Sequence, residues 1–352
     1  MTPFDYVRPT TIPEAIAAAS EPGTAVLAGG TNLLDLMKAG AVSPKRVVDI
    51  GQIAGLDSVE VLADGALRIG ALVRNADLAN DFEILARAPA VAEALLSGAS
   101  PQLRNAATVG GNLLQQTRCP YFYDVASACN RRADGAGCDA LGGQTHGHAI
   151  IGWTETCIAT HPSDFAVPLV ALDAEVEIEG PAGRRLLPLE QLYQLPTETG
   201  APSPALAPGE IVTALLLPPA ATPLAPHSRY LKLRERTSYA FALVSAAAAL
   251  RIADGRIIEA RLALGGVAAR PWRARNAEAA LSGAAPGTEL FVEAGRLAVS
   301  EARPSGDNAS KIPLAARVAS RALARAAHGT PETIPALPAS VFSPVEGELS
   351  DA

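Results

Sequence analysis

Residues 108–172 read TVGGNLLQQTRCPYFYDVASACNRRADGAGCDALGGQTHGHAIIGWTETCIATHPSDFAVPLVAL. The stretch opens on a Gly110-Gly111-Asn112 turn and closes on His161-Pro162-Ser163-Asp164. Between them lie all 4 cysteines of the chain, Cys119, Cys129, Cys138 and Cys157, spaced C-x9-C-x8-C-x18-C. No close C-x-x-C pair of the zinc-finger kind is present. Four thiolates in one long loop suit Zn²⁺ or an iron–sulfur cluster. Two disulfides are the third reading, tenable in an oxidising compartment. Spacing alone leaves the three open. Gly135, Gly137, Gly142 and Gly143 let the loop wrap something compact. Arg118, Arg131 and Arg132 either offset a cluster's negative charge or form ordinary solvated surface. His146 and His148 sit in a Gly-rich loop, and four thiolates already complete a ligand set, so neither they nor His161 count as ligands. Asp164 begins an apolar helix over 165–172. As an N-cap it needs no ligand; its functional reading is a carboxylate accepting hydrogen bonds from a sugar or ribityl hydroxyl.

Upstream, Thr11 and Pro13 mark a helix start. The run AVLAGGTNLLDLMKAG (25–40) then predicts a short strand, a Gly29-Gly30 turn and a helix stopped by Gly40. A second strand over 46–50 completes a βαβ-like unit, hence a parallel first sheet. A glycine pair opening a helix leaves amide groups bare for a phosphate. On its own it is also simple turn chemistry. Asp49 lies about 20 residues past Gly29, where a Rossmann acid would sit. GGTNLL lacks the third glycine, so that match is a decoy. Residues 58–73 predict a hairpin about Asp64-Gly65, and 77–96 a helix interrupted at Pro89. The second turn repeats the kernel of the first, GG-(T)-N-L-L. Two such turns suggest two backbone cradles gripping one extended anionic ligand, such as a dinucleotide with its pyrophosphate.

Downstream, 175–179 and 210–217 predict strands, with a Pro- and Ser-rich loop over 195–209 between them. The proline-rich stretch 218–226 marks a domain boundary. Beyond it, 228–236 is strand-like, 239–251 is strand or helix, and 257–264 pairs across an Asp254-Gly255 turn. Helices fill 276–281, 290–300 and 312–327, and a Pro- and Ser-rich tail follows.

The chain has 352 residues, enough for two or three ordinary domains, and a net charge of −7. That balance offers no basic stripe for phosphates and argues against nucleic acid. The longest apolar run, 241–250, is too short to span a bilayer. The N-terminus shows no export signal of its own. GxSxG, GxxxxGK[ST] and HExxH motifs are absent.

Six segments together carry a resemblance: AGGTNLL (28–34), TVGGNLL (108–114), HPSDFAVPLVALDA (161–174), GEIVTALLLP (209–218), KLRERTSYAFALVSAA (232–247) and LGGVAARPWRA (264–274). The chain resembles the FAD-binding medium subunit of the molybdenum hydroxylases, the xanthine dehydrogenase and carbon monoxide dehydrogenase family. The cysteine segment is similar to one branch, the flavin subunit of bacterial periplasmic aldehyde oxidase, which carries an extra 4Fe–4S cluster. It is the resemblance, not the spacing, that favours iron–sulfur.

The resemblance implies an α+β fold. A two-lobed FAD-binding domain of the vanillyl-alcohol-oxidase or PCMH type would span 1–220, with lobes of about 1–55 and 56–220 and the cysteine insert at 115–160. A smaller α+β domain of the CO dehydrogenase flavoprotein C-terminal type would span 226–330, and a tail 331–352. It implies FAD held by Leu27, Ala28, Gly29, Gly30, Thr31, Asn32, Leu33 and Leu34 at the pyrophosphate, and by Thr108, Gly111 and Asn112 in the second loop. Asp164 would bond a FAD hydroxyl. Val212, through its backbone, and Lys232 would lie beside the isoalloxazine ring, where a cation favours reduced, anionic flavin. Cys119, Cys129, Cys138 and Cys157 would hold the 4Fe–4S cluster. Partners would be a large molybdenum-cofactor subunit and a small subunit with two 2Fe–2S clusters, with electrons leaving to an external acceptor. No acid or base for substrate chemistry is expected in this chain. Location would be periplasmic through a partner bearing a twin-arginine signal, or cytoplasmic without one. Two alternatives stand beside this: the flavin subunit of an aromatic acyl-thioester reductase, and a non-enzymatic zinc-stapled scaffold.

Overall fold

The Thr11 hydroxyl accepts the Glu14 amide at 3.3 Å and caps the helix Ile12–Ala19, which starts with Pro13 in its first turn. That helix and the helix Leu33–Ala39 connect three short strands, β1 (Asp5–Val7), β2 (Thr24–Leu27) and β3 (Arg46–Asp49). They form a parallel sheet in the order β1-β3-β2. Gly40 ends the second helix at φ 76°, a left-handed backbone that favours glycine. The sheet is the first lobe. The structure, a computed structural model, describes residues 1–342.

The second lobe is an antiparallel sheet of β4 (Val59–Val61), β5 (Leu67–Gly70), β6 (Glu175–Gly180), β7 (Gly183–Pro188) and β8 (Ile211–Leu217), ordered β4-β5-β8-β6-β7. The chain leaves after β5 and returns at β6. What lies between is a set of short helices and the cysteine insert, so the sheet serves as the fixed floor beneath both. The expected helix over 77–96 is three pieces, Asn75–Ala79, Phe82–Arg87 and Pro89–Ser97. Asp81 caps the second by accepting the Glu83 and Ile84 amides, and Pro89 starts the third. Glu177 is buried in the floor, where Arg68 (2.9 Å), Arg184 and the Thr213 hydroxyl (2.9 Å) satisfy its carboxylate.

The third sheet, antiparallel and ordered β12-β11-β10-β9, is built from β9 (Ser228–Leu233), β10 (Val244–Ala253), β11 (Arg256–Gly265) and β12 (Trp272–Arg273). Strand β10 opens VSAAAAL, all buried. Alternate residues belong to different cores. Ala246, Ala248 and Leu250 pack with the helix Lys311–His328, while Ala247 and Ala249 pack with the first domain's helices. Period-2 side chains buried on both faces, small enough for close approach, explain why this run carries no amphipathic signal. The proline-rich connection forms a 3-10 helix, Pro219–His227, with Leu224 in the first domain's core. The two domains therefore share a dry interface.

Residues 331–342 are not a free tail. The Lys232 amide donates to the Ala339 carbonyl at 2.7 Å, and Lys232 bridges Ser340 as a parallel partner. Ala339 is buried, and its amide donates to the buried carboxylate of Glu93. The edge of β9 takes up this segment because its backbone groups would otherwise be buried unpaired. The rest of the expected tail, 343–352, lies outside the described residues.

Candidate functional site

A cavity of about 760 Å³ opens between the lobes and the third sheet. Its wall draws on the first glycine turn (Thr31, Asn32), the second (Gly111, Asn112), the loop 160–165, and Lys232 on β9. The size is that of a small-molecule or cofactor site.

The two glycine turns touch. A Cβ on Gly29 would stand 2.0 Å from the Ala106 carbonyl oxygen, so only a glycine lets the first turn lie against the approach to the second. Gly30 has φ 74°, closed to most side chains. Asn32 accepts the Gln116 amide through Oδ1 at 2.8 Å. Its Nδ2 is buried without a partner, as is Oδ1 of Asn75, another wall residue. Thr108 caps the helix Val109–Leu113 by accepting the Gly111 amide at 3.3 Å. Gly110 lies flat on Ala71, whose carbonyl takes its amide at 2.8 Å. The structure thus brings the two cradles together as one wall. Leu27, Ala28, Gly29, Gly30, Leu33 and Leu34 support that wall, half-buried, rather than line the cavity.

Ser163, not Asp164, bonds the start of the next helix, Ala166–Ala171. Its hydroxyl accepts the Ala166 amide at 3.1 Å and donates to Asn112 Oδ1 at 2.7 Å, tying this loop to the second turn. Asp164 is free of capping duty. It accepts the Tyr230 hydroxyl (2.6 Å) on Oδ1 and the Lys232 ammonium (2.7 Å) on Oδ2. Lys232 also donates to the Ser97 carbonyl at 3.3 Å. The Lys232 side chain is 1% exposed and that of Asp164 10%. Burial and the neighbouring carboxylate push the Tyr230 phenol well above its ordinary range, so it stays a donor. The pair joins the two domains across the cavity wall. A paired Lys232 carries less net charge toward a ligand than a lone cation would, which tempers the charge-stabilisation expectation. Val212 does not reach the cavity; it is 3% exposed in β8, opposite Ile178. Tyr230 was not singled out from the sequence, although its place two residues from Lys232 on one face of a strand was a signal that could have found it. Asn75 and Ser163 gave no such signal.

The insert 115–160 is nearly free of regular structure apart from the short helix Pro120–Tyr123. Arg132 ties it internally through the Tyr121 and Phe122 carbonyls (2.5 and 2.9 Å), and Asn130 donates to the Thr156 carbonyl at 2.9 Å. Arg131 donates to Gln116 Oε1 at 2.8 Å, and Arg118 lies over the Phe241 ring at 4.8 Å. All three arginines have structural work, so none is a solvated bystander. Cys129 faces Cys138 across an isolated antiparallel bridge. All four thiols are free. Burial, reinforced by Cys157 and Cys129, pushes the Cys119 thiol up to about 11; burial, with Cys138 and Cys129, raises Cys157. The four sulfurs therefore feel one another. Tetrahedral zinc at about 2.3 Å would draw its sulfurs to about 3.8 Å apart. Among the described residues no three His, Cys, Asp or Glu side chains are gathered so as to hold a single ion. Cys119 lines the cavity, with its Sγ 3.2 Å from His148 Nε2. Among the described residues no helix is long and apolar enough to cross a membrane.

Comparison with known proteins agrees with this architecture. A family described as the FAD binding domain in molybdopterin dehydrogenase matches residues 2–220, and the CO dehydrogenase flavoprotein C-terminal domain matches 229–329. The aldehyde oxidoreductase FAD-binding subunit PaoB of Escherichia coli (strain K12) is 47% identical over 330 residues, 93% of this chain and 99% of that one. The carbon monoxide dehydrogenase medium chain of Afipia carboxidovorans is 28% identical over 92% of this chain and 95% of that one. The structure of reconstituted CO dehydrogenase from Oligotropha carboxidovorans superposes with a TM-score of 0.74 at 25% identity, covering 94% of this chain and 99% of that chain. The cavity wall fits FAD: it is built on two close-packed glycine turns, and the two orphaned asparagine groups face the same space. The chain belongs to the molybdenum hydroxylase family as its FAD-binding medium subunit, part of an oxidoreductase.

Proposed function

We propose that this chain is the FAD- and 4Fe–4S-containing electron-transfer subunit of a heterotrimeric molybdenum-cofactor aldehyde oxidoreductase. It takes electrons from 2Fe–2S clusters on a small subunit and passes them to an external acceptor, while a large subunit oxidises the aldehyde. The observation that carries the reading is the position of Cys119, in the wall of the cavity and electrostatically coupled to other thiols of the insert. The likeness to an aldehyde oxidoreductase subunit over nearly the whole chain supports the substrate class.

Bound FAD supplies the exchange between one-electron and two-electron carriers. The chain's part is to hold it. The close-packed glycine turns form the wall along which the pyrophosphate lies, and Asn32 and Asn75 offer one free donor and one free acceptor. Asp164 and Lys232 present a fixed, paired dipole at the domain junction. The four thiols are the ligands proposed for the cluster, in the Cys₄ manner of iron–sulfur proteins. Location is proposed as periplasmic, by export with a partner that bears a twin-arginine signal. Purification through a tag on this chain tests the assembly. Two further chains should co-purify, and the complex should reduce an artificial acceptor with an aromatic or aliphatic aldehyde as donor. A flavin-free, zinc-loaded chain with no partners would contradict the reading.

A further inference from the structure

The helix Lys311–His328 begins with a lysine that is 1% exposed. Its ammonium donates to the carbonyls of Gly147 (2.9 Å) and His148 (2.8 Å). Among the described residues no carboxylate pairs with it. The nearby Asp307 is turned instead to the Thr145 amide and hydroxyl. Two features make this an expensive place for a cation. It is desolvated without a counter-ion, and it sits at the positive end of an 18-residue helix. Burial alone takes the Lys311 ammonium down to about 7.

Its neighbourhood is otherwise fully built. Asn308 donates to the His148 and Ala149 carbonyls at 3.2 Å each, and Ser305 to the Ala149 carbonyl at 2.7 Å. The Arg303 amide takes the Ile150 carbonyl at 2.8 Å. The second domain therefore clamps the segment 147–150 without needing a charge. His148, held between Lys311 and the insert, places its ring on Cys119. What this buried cation lacks is an anion, and a cluster held by the cysteines would supply a large one on the far side of His148, whose carbonyl takes the Lys311 ammonium and whose ring meets Cys119. Four thiolates outweigh the positive charge of a 4Fe–4S core, and one-electron reduction adds a further negative charge.

We propose that Lys311 is the counter-charge of the cysteine-ligated cluster and raises its reduction potential, acting as a positioning and tuning residue through the His148 segment. This rests on the cluster reading above. A fixed cation stabilises the more negative, reduced form more than the oxidised form, so its removal lowers the potential.

The test uses the full chain purified anaerobically with the subunits it assembles with. Lys311→Gln removes the charge and keeps a donor for the two carbonyls; Lys311→Arg keeps the charge. Flavin, iron and acid-labile sulfide are measured first, then the cluster's midpoint potential by titration followed by electron paramagnetic resonance. The expected result is a potential shifted to more negative values in K311Q and near the unsubstituted value in K311R. Iron lost from K311Q but retained in K311R reads the same charge and supports the proposal. An unchanged potential at full iron content overturns it, as does equal iron loss from both variants. If K311Q is too unstable to titrate, a Cys129→Ser background decides. There the K311Q substitution should cost less stability than in the cluster-bearing chain, and an equal cost overturns the proposal. An unsubstituted complex with flavin and only about four iron, those of the small subunit's 2Fe–2S clusters, would sink the cluster reading itself.

Discussion

The cavity wall and the cysteine insert meet at Cys119 but are built in opposite ways. The wall is backbone: two glycine turns pressed together, each opening a helix, on a five-stranded floor. The insert is side chain: arginine and asparagine bonds to carbonyls in an irregular loop, clamped from outside by residues 303–311. The wall has its geometry before any ligand arrives. The insert carries four free thiols, and burial, reinforced by neighbouring thiols, raises those of Cys119 and Cys157, which disfavours the thiolate until a metal binds. One site is preorganised by the fold; the other, on the function proposed above, is completed by the cluster it would hold.

The sharpest way to break this contrast is at the domain junction. Asp164→Ala would leave the Lys232 ammonium and the Tyr230 hydroxyl buried without their acceptor, costing about 3–5 kcal/mol of stability. Denaturant unfolding should show that loss, with flavin released first. The double variant Asp164→Asn, Lys232→Met should cost less than the sum of its parts, because each removes the other's penalty.

Gly29→Ala comes next. Its Cβ would collide with the Ala106 carbonyl, a backbone atom, and separating the two turns should cost about 1–3 kcal/mol. Flavin content should fall steeply while iron stays. Loss of both together would mean the two sites are not independent.

The third concerns pH. Burial holds the His161 imidazole down at about 3 and that of His148 at about 4. A base whose folded pKa lies below its unfolded value of about 6.5 binds its proton in the unfolded state first, so stability falls as pH drops below that value. Each group contributes about 1.4 kcal/mol per pH unit through this window. Unfolding midpoints measured from pH 7 to pH 5 should decline, and His161→Gln should remove roughly half the slope. An identical slope in the variant would place the titration elsewhere.

The smallest effect is at Ser163. Ser163→Ala removes the bond to the Ala166 amide and the tie to Asn112, worth about 1 kcal/mol, and should weaken flavin retention by about tenfold or less. A thermal shift with unchanged flavin affinity would confine Ser163 to the helix.

Much of this was legible in the chain itself, for physical reasons. The glycine turns, the hairpins about Asp64-Gly65 and Asp254-Gly255, and the helix Lys311–His328 all follow local chemistry that a sequence displays. The run Val244–Leu250 did not, because burial on both faces of β10 erases the period that distinguishes strand from helix. Asp164 looked like a cap because capping is the commonest use of an aspartate there. Its real partners, Tyr230 and Lys232, lie 66 and 68 residues away in another domain. Residues 331–342 read as a tail because their partner, the β9 edge, is distant in sequence. The clamp on the insert was invisible for the same reason: Lys311 bonds a carbonyl 163 residues away.

The central claim is that fold builds the flavin site and cofactor completes the cysteine site. Flavin, iron and sulfide measured on the purified complex, beside its Cys129→Ser variant, test it most directly. The account predicts about eight iron and about eight sulfide per flavin in the unsubstituted complex, half of each from the small subunit's 2Fe–2S clusters, falling to about four of each with flavin retained in the variant. Flavin lost together with iron, or a full complement of flavin with only about four iron per flavin in the unsubstituted complex, would contradict it.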